Sequence, residues 1–273
     1  MGLSTILFLF LAHLGIGIAF TLVFVSREAG VKFFRFNAGL AAILIAIALA
    51  FRYGGANPGD PPPTRLAVLA LAAAEASLVL YWATVGRTLA KVRPALVAIA
   101  VGGGLFAVVL QALALTVDRT LPMQVLTIAS FLSSAALLGG ACTAMILGHW
   151  YLILPSMQVT HLQSIVKIHI ASMIVRIAVV GAAVFVAITA SFPGQPSPGP
   201  SFERYITSVA GIFFWQRVLF GLAGPALLSY LTWETAKIRS TQSATGILYV
   251  DFFTVVVGEV LAKYLLLATR VPV

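Results

Sequence analysis

Between Gly211 and Tyr264 the chain sets Gln216, Arg217, Asp251, Glu259 and Lys263 inside two long apolar segments, separated by a short polar turn at Ala236–Ser243. Three more chemically capable groups, His13, Glu75 and Arg176, interrupt apolar runs earlier in the sequence. An ionised side chain in hydrocarbon costs several kcal/mol unless it is paired or faces water, so such residues mark candidate sites. Three kinds of chemistry are open to this set. Arg176 and Arg217 can be neutralised by Glu75 and Asp251 and simply hold helices together. The same groups can line a buried polar cavity that binds a quinone headgroup or another polar substrate. The carboxylates can also pass protons. Glu259 and Lys263 stand four apart with the acid first, the favourable order for an ion pair along a helix, and Lys263 is placed to reach for the interface.

The elements that must position these groups are membrane spans. Of 273 residues 60% are hydrophobic and 9% charged, with mean hydropathy +1.04. A soluble domain carries about 25% charged residues, so the chain reads as all-α and polytopic, an integral membrane protein of about eight transmembrane helices. Apolar runs fall at 3–25, 37–52, 66–86, 94–116, 122–148, 164–190, 205–232 and 244–268, each near the ~20 residues that cross a bilayer. Phe33–Phe36 extend the short second run. Strands are excluded because no alternating ten-residue pattern appears. The first run lacks a basic leader and a small-residue cleavage site, and is expected to be retained.

Nine basic residues (Arg27, Lys32, Arg35, Arg87, Lys91, Arg93, Lys167, Lys237, Arg239) fall on one side of this arrangement, and five (Arg52, Arg65, Arg119, Arg204, Arg270) on the other. The excess assigns the first set to the cytoplasm and both termini to the outside of a cytoplasmic (inner) membrane. The net charge of +9 thus serves orientation in an anionic bilayer, not nucleic-acid binding. Stretches rich in proline and glycine at 53–65 and 191–202 lie on the outer side. Each follows the second span of a four-span half, so a single transmembrane domain over 1–273 divides into candidate halves 1–118 and 119–273.

Gly221, Gly224 and Pro225 predict a kink just past Arg217. Gly139, Gly140, Ala144 and Gly148 form a small-residue stripe for close helix approach. Trp150, Tyr151, Trp233, Tyr53 and Tyr205 fit interfacial aromatic belts. His149, His161 and His169 gather at the cytoplasmic end. His149 and His169 are the candidate haem or metal ligands, but no pair lies at matched depth on two clear spans, so haem is not expected. One cysteine, Cys142, excludes a disulfide framework and an iron–sulfur site within the chain. No nucleophile triad, P-loop or dinucleotide fingerprint is present. Any redox cofactor must therefore sit on another subunit.

The size, the span count, a histidine (His13) in the first span and the buried Arg176 together resemble the polysulfide-reductase-type, or NrfD-like, membrane anchor family. The resemblance implies eight spans in two four-helix bundles, quinol binding without haem, and partner subunits that carry redox cofactors. It implies that His13 with at least one of Arg176 and Arg217 lines a quinone pocket, and that Glu75, Asp251 and Glu259 serve a proton route. The alternatives are a small-solute or ion transporter with Arg176 and Arg217 on an anion, a membrane b-type cytochrome using His149 and His169, and a non-catalytic assembly subunit.

Overall fold

In a computed structural model, residues 2–52, 60–87, 90–153, 158–189 and 198–273 are described. Ten α-helices build it: α1 (Leu3–Leu22), α2 (Gly30–Phe51), α3 (Pro62–Thr84), α4 (Arg93–Leu115), α5 (Leu121–Ile153), α6 (Val159–Thr189), α7 (Pro198–Thr207), α8 (Ile212–Val218), α9 (Gly224–Lys237) and α10 (Thr241–Thr269). Among the described residues there is no strand, and eight helical segments are long and apolar enough to cross a membrane. The protein is an all-α, multi-pass membrane protein. The stretches at 53–65 and 191–202 lie mostly outside the described residues, as does Tyr53.

Helix ends sit where the chain's chemistry puts them. Proline opens α3 and stands in the first turn of α4, where its missing N–H costs no hydrogen bond. A single 3₁₀ turn at Arg27–Ala29, capped by the Ser26 side chain, leads into α2 and takes Phe33–Phe36 into the span. The seventh crossing departs from the expected 205–232. The backbone becomes extended at Ser208, so the short α7 stands apart and the crossing runs Val209–Lys237. Within it, α8 and α9 are joined by a π-helical turn at Leu219–Ala223. The expected irregularity past Arg217 thus takes the form of a widened turn. Pro225, which cannot donate to the carbonyl four residues back, stands just beyond it.

The spans pack as two rings of neighbours. Helix α1 touches α2 and α4, and α3 touches α2 and α4; likewise α5 and α9 each touch α6 and α10. The rings join through α1 and α5, with α4 and α10 assisting. These two helices are the most enclosed of the crossings, and α5 is the hub through its small residues. A Cβ at Gly139 would collide with the backbone of Gly17 on α1. One at Gly140 would meet His169 on α6 at 3.4 Å, and one at Gly148 would meet Thr245 on α10 at 3.0 Å. Each glycine therefore lets a different neighbour close in, which is how helices gain van der Waals contact where lipid removes the hydrophobic drive. Thr21 of α1 reinforces the crossing by bonding to Thr143 at 2.6 Å and to the Gly139 carbonyl at 3.2 Å.

At the basic end, Trp150 donates to the Ala29 carbonyl at 3.2 Å, and the Tyr151 hydroxyl donates to the Gln158 carbonyl while accepting from Leu162 N–H. The Trp233 ring lies between Lys167 and Lys237, at 5.2 and 5.4 Å. At the other end the left-handed residue Arg270 turns the chain back, so that Val271 and Val273 pack against Phe202 and Phe214.

Single cysteines at Ser240 and Asp118 check the orientation. With the native Cys142 buried, a membrane-impermeant maleimide added to intact cells should label the Asp118 position only. Labelling at Ser240 from outside would invert the assignment.

Candidate functional site

The ionisable groups converge on one carboxylate. Glu259 on α10 accepts at Oε1 from Arg176 Nε on α6 and from Arg217 Nη2 on α8, both at 2.9 Å. Its Oε2 accepts from Arg176 Nη2 at 3.2 Å and from the Ser134 hydroxyl on α5 at 2.5 Å. Lys263 Nζ lies 3.5 Å from the same oxygen, donates to Ser134 at 2.6 Å and faces the Phe131 ring at 5.2 Å. Arg176 spends its remaining nitrogen on Ser130, bonding to the hydroxyl at 2.6 Å and the carbonyl at 3.0 Å. Both arginines and Glu259 are fully buried and Lys263 is 2% exposed. Three cations therefore share one carboxylate in a space without solvent.

Local sequence makes this geometry possible. The four-residue spacing puts Lys263 one turn above Glu259. The π-helical turn begins two residues after Arg217. A Cβ on Gly221 would overlap the Arg217 guanidinium, and one on Gly258 would overlap Gly221. These two glycines let α10 approach close enough for Arg217 to reach Glu259. Arg217 Nε and Nη1 have no hydrogen-bond partner among the described residues.

The network continues into the other ring. His13 on α1 is fully buried, with Nδ1 3.5 Å from the Ser134 hydroxyl and Nε2 3.2 Å from Gln111 Oε1 on α4. A T-shaped contact with Phe131, 4.7 Å between centroids, fixes the imidazole plane. Ser134 has a single proton and two candidate acceptors, Glu259 and His13. Gln111 is equally two-sided, because rotating its amide exchanges an acceptor for a donor. Gln111 also lines a cavity of about 240 Å³ between α1, α3 and α4, walled by Phe8, Leu9, Ala67 and Val68 and bordered by the Arg52–Asp60 ion pair at 2.9 Å. The amide nitrogen of Gln111 has no hydrogen-bond partner among the described residues. A string of polar atoms thus runs from the cavity wall through Gln111, His13 and Ser134 to Glu259.

Several sequence expectations are corrected by this arrangement. Arg176 and Arg217 pair with Glu259, not with Glu75 or Asp251. Glu75 is only half-buried and its Oε2 has no partner among the described residues; Leu71, Ala74 and Leu78 take the inward face of α3. Lys263 does not reach the interface, because Ser134 and Glu259 hold it inside. His149 and His169 do not approach as a ligand pair. His149 meets the Tyr249 hydroxyl at 3.1 Å, while His169 lies 2.6 Å from Asp251, both of the latter fully buried. His161 pairs with Glu28 at 2.7 Å. Sequence reasoning missed Gln111, Ser130 and Ser134. Their signal was a lone amide in an apolar run and paired serines in a small-residue helix, which hydropathy does not separate from packing.

No protein-family model matches the chain, and no curated protein matches it by sequence. Fold and site together define a polytopic all-α membrane protein with a charged cluster sealed in its interior.

Removing the shared carboxylate strands three cations in a dry core. Glu259→Gln is expected to cost about 3–5 kcal/mol, the range for breaking a buried ion pair from one side. The check is thermal unfolding of detergent-solubilised protein, where Glu75→Gln should melt close to wild type.

Proposed function

We propose that this protein is a membrane subunit of a redox complex, and that it binds a quinone or quinol headgroup in the cavity between α1, α3 and α4. The supporting observation is the placement of Gln111, in the cavity wall and bonded to His13 at the same time. A quinone carbonyl needs a donor and a quinol hydroxyl an acceptor, and one amide supplies either by rotation. Apolar walls suit an otherwise hydrophobic ring, as ligand sites combine apolar surface with a few placed polar groups. Thr5, Thr64 and Arg52 around the same cavity supply further donors. The proton released or taken up there has a route through His13, whose imidazole exchanges protons by passing between two ring nitrogens, to Ser134 and Glu259. The chain-wide resemblance to quinol-binding anchors implies the same role, with cofactor-bearing partners alongside.

A second reading has one specific observation in its favour. Three buried cations against one carboxylate, with Arg217 Nε and Nη1 unpartnered, suit transient binding of a small anion, as in a transporter.

Titration of nanodisc-embedded protein with a short-chain quinone analogue tests the first reading. Gln111→Leu keeps the volume and removes the amide. It should weaken binding about tenfold or more, matching a lost hydrogen bond of about 1.4 kcal/mol. Equal affinity in wild type and variant removes the cavity from consideration. Absent binding, together with anion uptake by reconstituted vesicles, favours the transporter.

A further inference from the structure

A second set of buried polar groups lies deeper in the α5–α6–α9–α10 ring. His169 on α6 and Asp251 on α10 are fully buried, and Nε2 lies 2.6 Å from Oδ2. At that distance the two side chains are paired, and His169 Nδ1 and Asp251 Oδ1 have no hydrogen-bond partner among the described residues. His169 Nδ1 lies over Gly140, where even a methyl would touch it. On α9, which packs against α6 and α10, the Ser229 and Thr232 hydroxyls are buried and have no hydrogen-bond partner among the described residues.

Depth places these atoms together. At 1.5 Å per residue, His169 and Asp251 each lie about 15 Å from the basic-face ends of their helices, and Ser229 about 12 Å from the corresponding end of α9. Buried polar atoms are nearly always satisfied, and those without a protein partner take ordered water. Four such atoms therefore lie on α6, on α10 and on the helix α9 that packs against both, with His169 and Asp251 at one depth and Ser229 and Thr232 successively nearer the basic face. The Glu259 cluster stands about 10–12 Å further along α6 and α10.

We propose that His169 and Asp251 form a hydrated proton-exchange site, filled from the basic face through water held by Ser229 and Thr232. It gives the quinone-linked network a second, opposite exit, and it rests on that reading only for its coupling. In the exchange hydronium arriving from the basic face gives a proton to an Asp251 carboxylate oxygen and leaves as water; His169 Nε2, 2.6 Å away, shares that proton, which returns to water by the same path. The other charged groups on the surrounding elements are Arg176 on α6, Arg217 on α8, and Glu259 and Lys263 on α10, all toward the opposite face, and Lys167, Glu234 and Lys237 at the basic end, where both lysines lie against Trp233 and Lys237 pairs with Glu234 at 2.7 Å. On α5 the titratable groups are Cys142, Tyr151 and His149, the last held by Tyr249.

Infrared difference spectroscopy of nanodisc-embedded protein, between alkaline and acidic buffer, tests this directly. Wild type should show the carbonyl band of a protonated buried carboxyl. The band should vanish in Asp251→Asn, shift in frequency in His169→Gln and in Thr232→Val, and persist in Gln111→Leu, which disables the proposed quinone cavity alone. A band unchanged in Asp251→Asn, or absent from wild type, overturns the site whatever the quinone titration gives. If Asp251→Asn does not fold, an unshifted band in both His169→Gln and Thr232→Val overturns it equally. A band removed by sodium but not by potassium assigns the site to a metal cation and overturns the proton reading.

Discussion

The carboxylate of Glu259 is the point on which the interior depends. Arg176, Arg217 and Lys263 come from three helical segments and meet on one carboxylate: Arg176 reaches both oxygens, Arg217 Oε1 and Lys263 Oε2. Burying a charge in a low-dielectric core costs several kcal/mol, and attraction repays it only with close geometry and further hydrogen bonds. Those conditions are met here by backbone features that look unrelated to charge. Gly221 and Gly258 remove the atoms that would keep α8 and α10 apart. Ser130 and Ser134 take up the donors that Glu259 cannot. Gly139 and Gly17 let α1 close on α5 so that His13 reaches Ser134.

Such an arrangement is a poor way to gain stability alone, since apolar residues of like volume do as well or better. Its cost is better explained by use. The cluster joins the two rings of helices, and its polar string leads out to a cavity with apolar walls. The other ring interior holds the His169–Asp251 pair on the opposite side. Polar groups thus lie on both sides of a sealed charge, which is the layout that the proposed proton transfer requires.

How much of this was legible in the sequence varies with the physics involved. Span number and approximate bounds follow from hydropathy, because each crossing must satisfy its own backbone in lipid. The burial of Arg176, Arg217 and Asp251 follows from the same cost argument, which also turns Glu75 inward, where the structure leaves it only half-buried. Partner choice does not. Arg176 and Glu259 are separated by 83 positions, and nothing local distinguishes Glu259 from Asp251 as the acceptor; the choice is made by where Gly221 and Gly258 allow the helices to meet. Lys263 reads as interfacial from the reach of its long side chain, whereas Ser134 on the neighbouring α5 takes its ammonium inside the bundle. Gln111 and Ser134 were silent because neutral polar side chains in membrane helices more often bond to their own backbone, as Thr116 and Thr127 do here.

A thermodynamic double-mutant cycle on Arg176 and Glu259 addresses the shared carboxylate most directly, using Arg176→Met, Glu259→Met and the pair together, each followed by reversible unfolding in detergent. If Glu259 is the common acceptor, the two losses are strongly non-additive, with a coupling of about 2–3 kcal/mol at the upper end for contacting residues, and the double variant is more stable than Glu259→Met alone. Additive losses would contradict the account, because they would mean that the two side chains do not share the same buried charge.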